Sequence, residues 1–107
     1  MEVSKGQIIL WSPVKIKAIN SEVIKTATVG FVLQVNSPNV GRKTCDIILF
    51  PPGYHNGLPK SAVREYDDPD LSDRFVRDTG CWFFRPEDVE QHLLMQKMKQ
   101  ILEQKAK

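Results

Sequence analysis

Proline and glycine cut the first 84 residues into short β-rich runs with no regular alternation of strands and helices between them. That pattern excludes a parallel doubly wound sheet, whose strands are joined by crossover helices. Gly6 to Trp11 (GQIILW) is the first run, and Ser12-Pro13 interrupts it. Val14, Ile16 and Ala18 then alternate with Lys15 and Lys17, the period of a half-buried strand or extended arm. Ile24 to Val35 is the longest strand candidate, with Gly30 marking a bulge or a close backbone approach. Asn36 to Lys43 supplies turn residues for a hairpin into Thr44 to Phe50, which Pro51-Pro52-Gly53 stops. The span from 51 to 80 reads as an insertion holding a short helix, with Asp68 as its cap, Pro69 at its first position, and Leu71 and Phe75 four residues apart. Cys81 to Phe84 is a short aromatic strand. From Pro86 to Lys105 a helix follows, with acidic residues in its first turn and lysines towards its end. The expected architecture is mainly β with a C-terminal helix: one domain over 1–107, a small five-stranded antiparallel barrel at 6–84, and the helix at 86–105.

A chain of 107 residues buries enough surface for one core without metal or disulfide staples. Cys45 and Cys81 have no second cysteine nearby and suit buried strand positions. The longest strongly apolar run, Ile8 to Trp11, falls far short of the roughly 20 residues needed to cross a bilayer. The N-terminus lacks the pattern of a secretory or transit signal, so an intracellular protein is expected. The net charge of +2 divides unevenly: Met1 to Glu65 carries eight Lys/Arg and four Asp/Glu, Tyr66 to Lys107 seven and nine. A surplus of four positive charges in the first part can steer an anionic partner but does not equal the dense basic footprint of an unaided duplex binder.

Motifs for catalysis are missing from the sequence: it has no GxSxG, no phosphate-cradling glycine loop and no HExxH. His55 and His92 stand apart from any partner set. Asp67, Asp68, Asp70 and Asp73 cluster, but without the central glycine and terminal glutamate of a calcium loop, and helix capping accounts for them. No enzyme activity, cofactor or metal is expected.

Aromatic placement is more informative. Trp11 ends the first strand, Phe50 ends the strand after the hairpin, and Tyr54 begins the following loop. Aromatics at strand ends sit on the rim of a small barrel, where they either close the core or converge on a pocket that attracts a methylated ammonium. Two other partners fit the same chain. Phe31, Trp82 and Phe84 beside the lysines suit stacking on RNA or single-stranded DNA. Leu94, Met98 and Ile101, widened by Met95 and Leu102, form a helical stripe that either covers the end of the sheet or docks a partner.

Three segments resemble the PWWP family, a Tudor-like group of chromatin-reading barrels. GQIILW resembles its opening strand, CDIILF its third strand with an aromatic end, and CWFFRPEDVEQHL its short Trp-containing strand and the helix start that follows. The Pro-Trp-Trp-Pro tetrad itself is replaced by Thr26-Ala27-Thr28-Val29. The resemblance implies a nuclear, non-enzymatic reader that holds a methylated histone lysine in an aromatic cage. Phe50 takes the third-strand position of that cage, with Trp11 as second wall and Tyr54 or Trp82 as a third. It also implies weak, non-specific contact with nucleosomal DNA, for which Lys15, Lys17, Lys25, Arg42 and Lys43 are the candidate phosphate contacts. As an isolated module the chain is expected to be monomeric, a part of a larger protein.

Overall fold

The computed structural model describes residues 1–37, 41–53 and 55–105. Five strands close into a barrel in the order β1 (Ile8–Ser12), β2 (Thr28–Asn36), β3 (Thr44–Leu49), β4 (Leu58–Glu65) and β5 (Cys81–Phe83). Three helices accompany it: α1 (Ser21–Thr26) between β1 and β2, α2 (Asp73–Thr79) between β4 and β5, and α3 (Pro86–Lys105) after the barrel. The expected barrel and following helix are both present. Neighbouring strands run antiparallel except at the seam between β4 and β5, which closes the barrel through a parallel pairing of Arg64 with Cys81 and Glu65 with Trp82.

Four expectations need correction. Val14 to Ala18 is not a strand: it belongs to a connection in which Ile16 packs against Leu71, Val76 and Cys81 outside the barrel, while Val14 is exposed. The strand placed at Ile24 starts only at Thr28, because the Asn20 side chain accepts a hydrogen bond from the Val23 N–H at 3.0 Å and starts a helix through Thr26. The fifth strand comes instead from the supposed insertion, where β4 pairs with β3. Within that span the short helix begins at Asp73, with Ser72 as its cap. Asp68 is buried and accepts from the Asp70 N–H and from Arg64, so it shapes the turn before the helix and caps nothing. Phe75 is exposed and lies beneath the Arg64 guanidinium at 4.6 Å.

Alternation along the strands separates two cores. Ile9, Val32, Cys45, Ile47, Leu49, Val63 and Trp82 fill the barrel. Gly30 belongs to that interior, since a side chain there would meet Leu49 at 3.0 Å and Ile9 at 3.1 Å; the close approach is what its sequence position suggested. Leu71, Val76 and Cys81 form a smaller core outside, between β5 and α2. Gly80 links the two. Its φ of 69° ends α2, and a side chain there would lie 2.5 Å from the Trp11 ring and the Ser12 carbonyl.

The bulge between β3 and β4 is held from one carboxylate. Asp46 accepts from the Asn36 amide at 3.0 Å and from the Ala62 N–H at 2.9 Å, and Ala62 takes a positive φ of 52°. No residue of α3 is buried.

Candidate functional site

Strand register puts Trp11, Thr28, Phe50 and Leu58 on one rim of the barrel. Among the described residues the rim does not bring Trp11 and Phe50 together as a cage. Trp11 turns inward, its indole N–H donating to the Thr79 carbonyl at 2.8 Å, and Lys60 Nζ already stands 5.8 Å from its ring centroid. Phe50 follows the inward Leu49 and leaves the barrel, 52% exposed, with β2 between it and Trp11. Tyr54 lies outside the described residues.

Trp82 is no cage wall. It pairs with Trp11 across β1 and β5, so both face the interior, where Trp82 is 2% exposed and meets Phe84 edge-on at 5.0 Å. Its buried indole N–H finds no partner among the described residues. The same burial removes Trp82 from the stacking set imagined with Phe31 and Phe84, because a base cannot reach a ring enclosed by the barrel.

A different aromatic group converges on the outer face of the closing seam. The Tyr66 N–H donates to the Trp82 carbonyl at 2.9 Å, which extends the β4–β5 ladder by one step and brings Tyr66 beside Phe83. Their rings meet edge-to-face, 6.3 Å apart at 78°. Phe83 pairs with Leu10 and so faces away from the barrel interior. The turn into α3 supplies the opposite wall. Arg85 holds Asp88 through two hydrogen bonds of 3.0 and 3.1 Å, Pro86 occupies the first helical position, and Val89 and Glu90 come over the seam. The result is a cavity of about 330 Å³ walled by Tyr66, Phe83 and Phe84, with Glu65 and Glu90 as its charged lining. Phe83 is buried and backs the cavity, while the half-buried Tyr66 and Phe84 present the more accessible faces.

The electrostatics favour a cation. Burial raises the Glu65 carboxyl to about 6, nearby Asp67 adds to the rise, and Arg42 opposes it. Tyr66 is likewise raised by burial and by Asp67 and Glu65. Among the described residues no lysine or arginine lines this cavity, so an incoming ammonium meets carboxylates and aromatic faces, with Arg42 and the N-terminal ammonium acting on Glu65 from outside it. The Trp11 ring differs on that point, since Lys60 Nζ stands over it. On the other side of Glu65 and Phe84, a smaller cavity of about 160 Å³ is lined by Arg42, Lys43 and Trp82.

The candidate phosphate contacts fall on two connections. Lys15, Lys17 and Lys25 lie between β1 and β2, and Arg42 and Lys43 lead into β3. Arg42 is engaged by Asp67 at 2.8 Å and Lys15 by Asp73 at 3.9 Å. Lys17, Lys25 and Lys43 are exposed and carry no ion pair among the described residues. The acidic cluster is likewise dispersed, with Asp67, Asp68 and Asp73 each turned to a different basic side chain. Among the described residues no helix is long and apolar enough to cross a membrane.

From the sequence alone Phe84 is singled out only as a stacking residue, and none of Tyr66, Phe83 and Glu65 as a site residue. The usable signal was compositional: aromatics and acids recur together in REYDD and in CWFFRPEDVE. The chain matches no family model, no curated protein and no solved structure.

Proposed function

We propose that this chain is a non-enzymatic reader of a methylated lysine, and that the ammonium enters the seam pocket of Tyr66, Phe83 and Phe84. The observation that carries the reading is the composition of that cavity: two accessible aromatic faces, Tyr66 and Phe84, backed by the buried Phe83, and two carboxylates, with no basic residue in its lining among the described residues. Each aromatic face in contact with a methylated ammonium contributes roughly 0.5–2 kcal/mol, most where water is excluded. Glu65 adds a charge whose raised pKa marks a site that gains from a cation. The peptide class is the one the PWWP resemblance implies, a histone tail. Lys17, Lys25 and Lys43 are the cations left to meet nucleosomal DNA, which makes binding to a nucleosome tighter than to a lone peptide and sensitive to salt.

Titration of histone-tail peptides carrying trimethyllysine, monitored by backbone and aromatic NMR, tests this. Shifts confined to Tyr66, Phe83, Phe84 and Glu90, absent with the unmodified lysine, are the expected result. Shifts at Trp11 and Phe50 alone move the site back to the rim. No response to any methylated tail, with Lys17, Lys25 and Lys43 responding to an oligonucleotide instead, replaces the reading with a nucleic-acid module.

A further inference from the structure

Along α3, Glu87, Gln91, Leu94, Met98, Ile101 and Lys105 succeed one another at alternating steps of four and three, the spacing of a coiled-coil seam. The apolar middle of this seam is uncovered, Leu94 being 58%, Met98 55% and Ile101 52% exposed, and nothing on α3 is buried. Met95 and Leu102, also exposed, flank it on one side. A carboxylate stands at one end of the seam and an ammonium at the other.

These end charges choose among the ways a second helix of the same sequence can lie on the seam. In a parallel pair Glu87 faces Glu87 and Lys105 faces Lys105, and like charges repel. In an antiparallel pair with Leu94 against Met98 of the second copy, Gln91 falls opposite Ile101 and Glu87 opposite Lys105, at both ends by symmetry. We propose that α3 is a self-association surface on which two copies of this chain pair antiparallel through the seam from Glu87 to Lys105. The monomer expected of an isolated module is then one side of a concentration-dependent equilibrium. One short helix per copy buries on the order of 1,000 Å², the small end of specific interfaces, so the dimer is weak, with a dissociation constant in the micromolar range or above.

An acidic start and a basic end also suit the dipole of a single helix, so the test must separate pairing from helix stability. Sedimentation equilibrium of the full chain at low salt, up to several hundred micromolar, is compared for the wild type, Lys105→Glu, Glu87→Lys and an equimolar mixture of the two variants. Each variant alone places like charges at both ends of the seam and should weaken self-association about tenfold. In the mixture one copy carries a carboxylate at both ends of its seam and the other an ammonium at both, so opposite charges meet again and the dimer should return. Leu94→Glu should leave only monomer, with the barrel's near-ultraviolet circular dichroism unchanged. A wild type that stays monomeric over the whole range, or a mixture no heavier than the separate variants, overturns the proposal.

Discussion

The two aromatic groupings of this barrel occupy opposite situations. At the rim, Trp11 faces inward with Lys60 over its ring and Phe50 faces away from it; at the seam, Tyr66, Phe83 and Phe84 line one cavity with two carboxylates. The rim has the larger rings and the strand ends that would favour a cage, yet its tryptophan is committed to packing and to the Thr79 carbonyl. The seam has smaller rings but presents them to a space that no basic side chain fills. Aromatic count and strand-end position therefore do not single out the seam; its case as the proposed site rests on the cavity that Tyr66 and Phe84 border together with Glu65 and Glu90.

The contrast breaks most visibly at Trp82. If it belongs to the core, Trp82→Ala removes about 3–5 kcal/mol from the unfolding free energy, measured by urea denaturation. If it were a wall of a surface cage, the loss would appear in ligand affinity with stability nearly unchanged. Next in size, Tyr66→Ala should weaken binding of a trimethyllysine peptide more than tenfold by calorimetry, whereas Phe50→Ala should leave affinity within twofold and stability within about 0.5 kcal/mol.

Glu65 gives the comparison a pH axis. Its carboxyl is raised to about 6 in the folded protein from an ordinary value of 4.5, so it must lose a proton to serve a cation. Peptide affinity should fall as pH drops through about 6 in the wild type and stay flat in Glu65→Gln. For stability the sign is opposite to that of a salt-bridged acid. Between about 4.5 and 6 the folded state holds a proton that the unfolded state has released, so stability declines as pH rises through this window. A modest effect on stability follows from that: Glu65→Gln should stabilise the protein at pH 7 by up to about 1 kcal/mol, discounted because the carboxyl is only half-buried, while weakening the ligand. A variant that loses both stability and affinity would make Glu65 a structural residue.

Much of the barrel was legible from periodicity and punctuation. Strands β1, β3 and β5 are dense in apolar residues and end at Pro or Gly, and Pro86 with its acidic neighbours marks the start of α3. Strand β4 was hidden, because in LPKSAVRE only Val63 is buried and Pro59 removes a donor. Helix α1 was hidden for the opposite reason. Its β-branched residues suit a strand, and the Asn20 cap outweighs them. The pocket could not be read at all, since Tyr66 and Phe83 become neighbours only through the β4–β5 pairing, a register set by how α2 returns the chain to the barrel. Local sequence signals carry no information on that return.

The closing seam is also the barrel's thinnest ladder. Only Arg64 with Cys81 and Glu65 with Trp82 pair across it, whereas β2 and β3 pair at six positions. Parallel pairing across a long connection joins distant parts of the chain through few paired positions, so local opening should start at this joint, where amide exchange is expected to be fastest among the strands. The walls of the pocket stand on either side of that joint, Tyr66 continuing β4 and Phe83 on β5. A ligand bound there as proposed would bridge the joint like a staple, and its occupancy should slow amide exchange across the barrel, beyond the residues it touches.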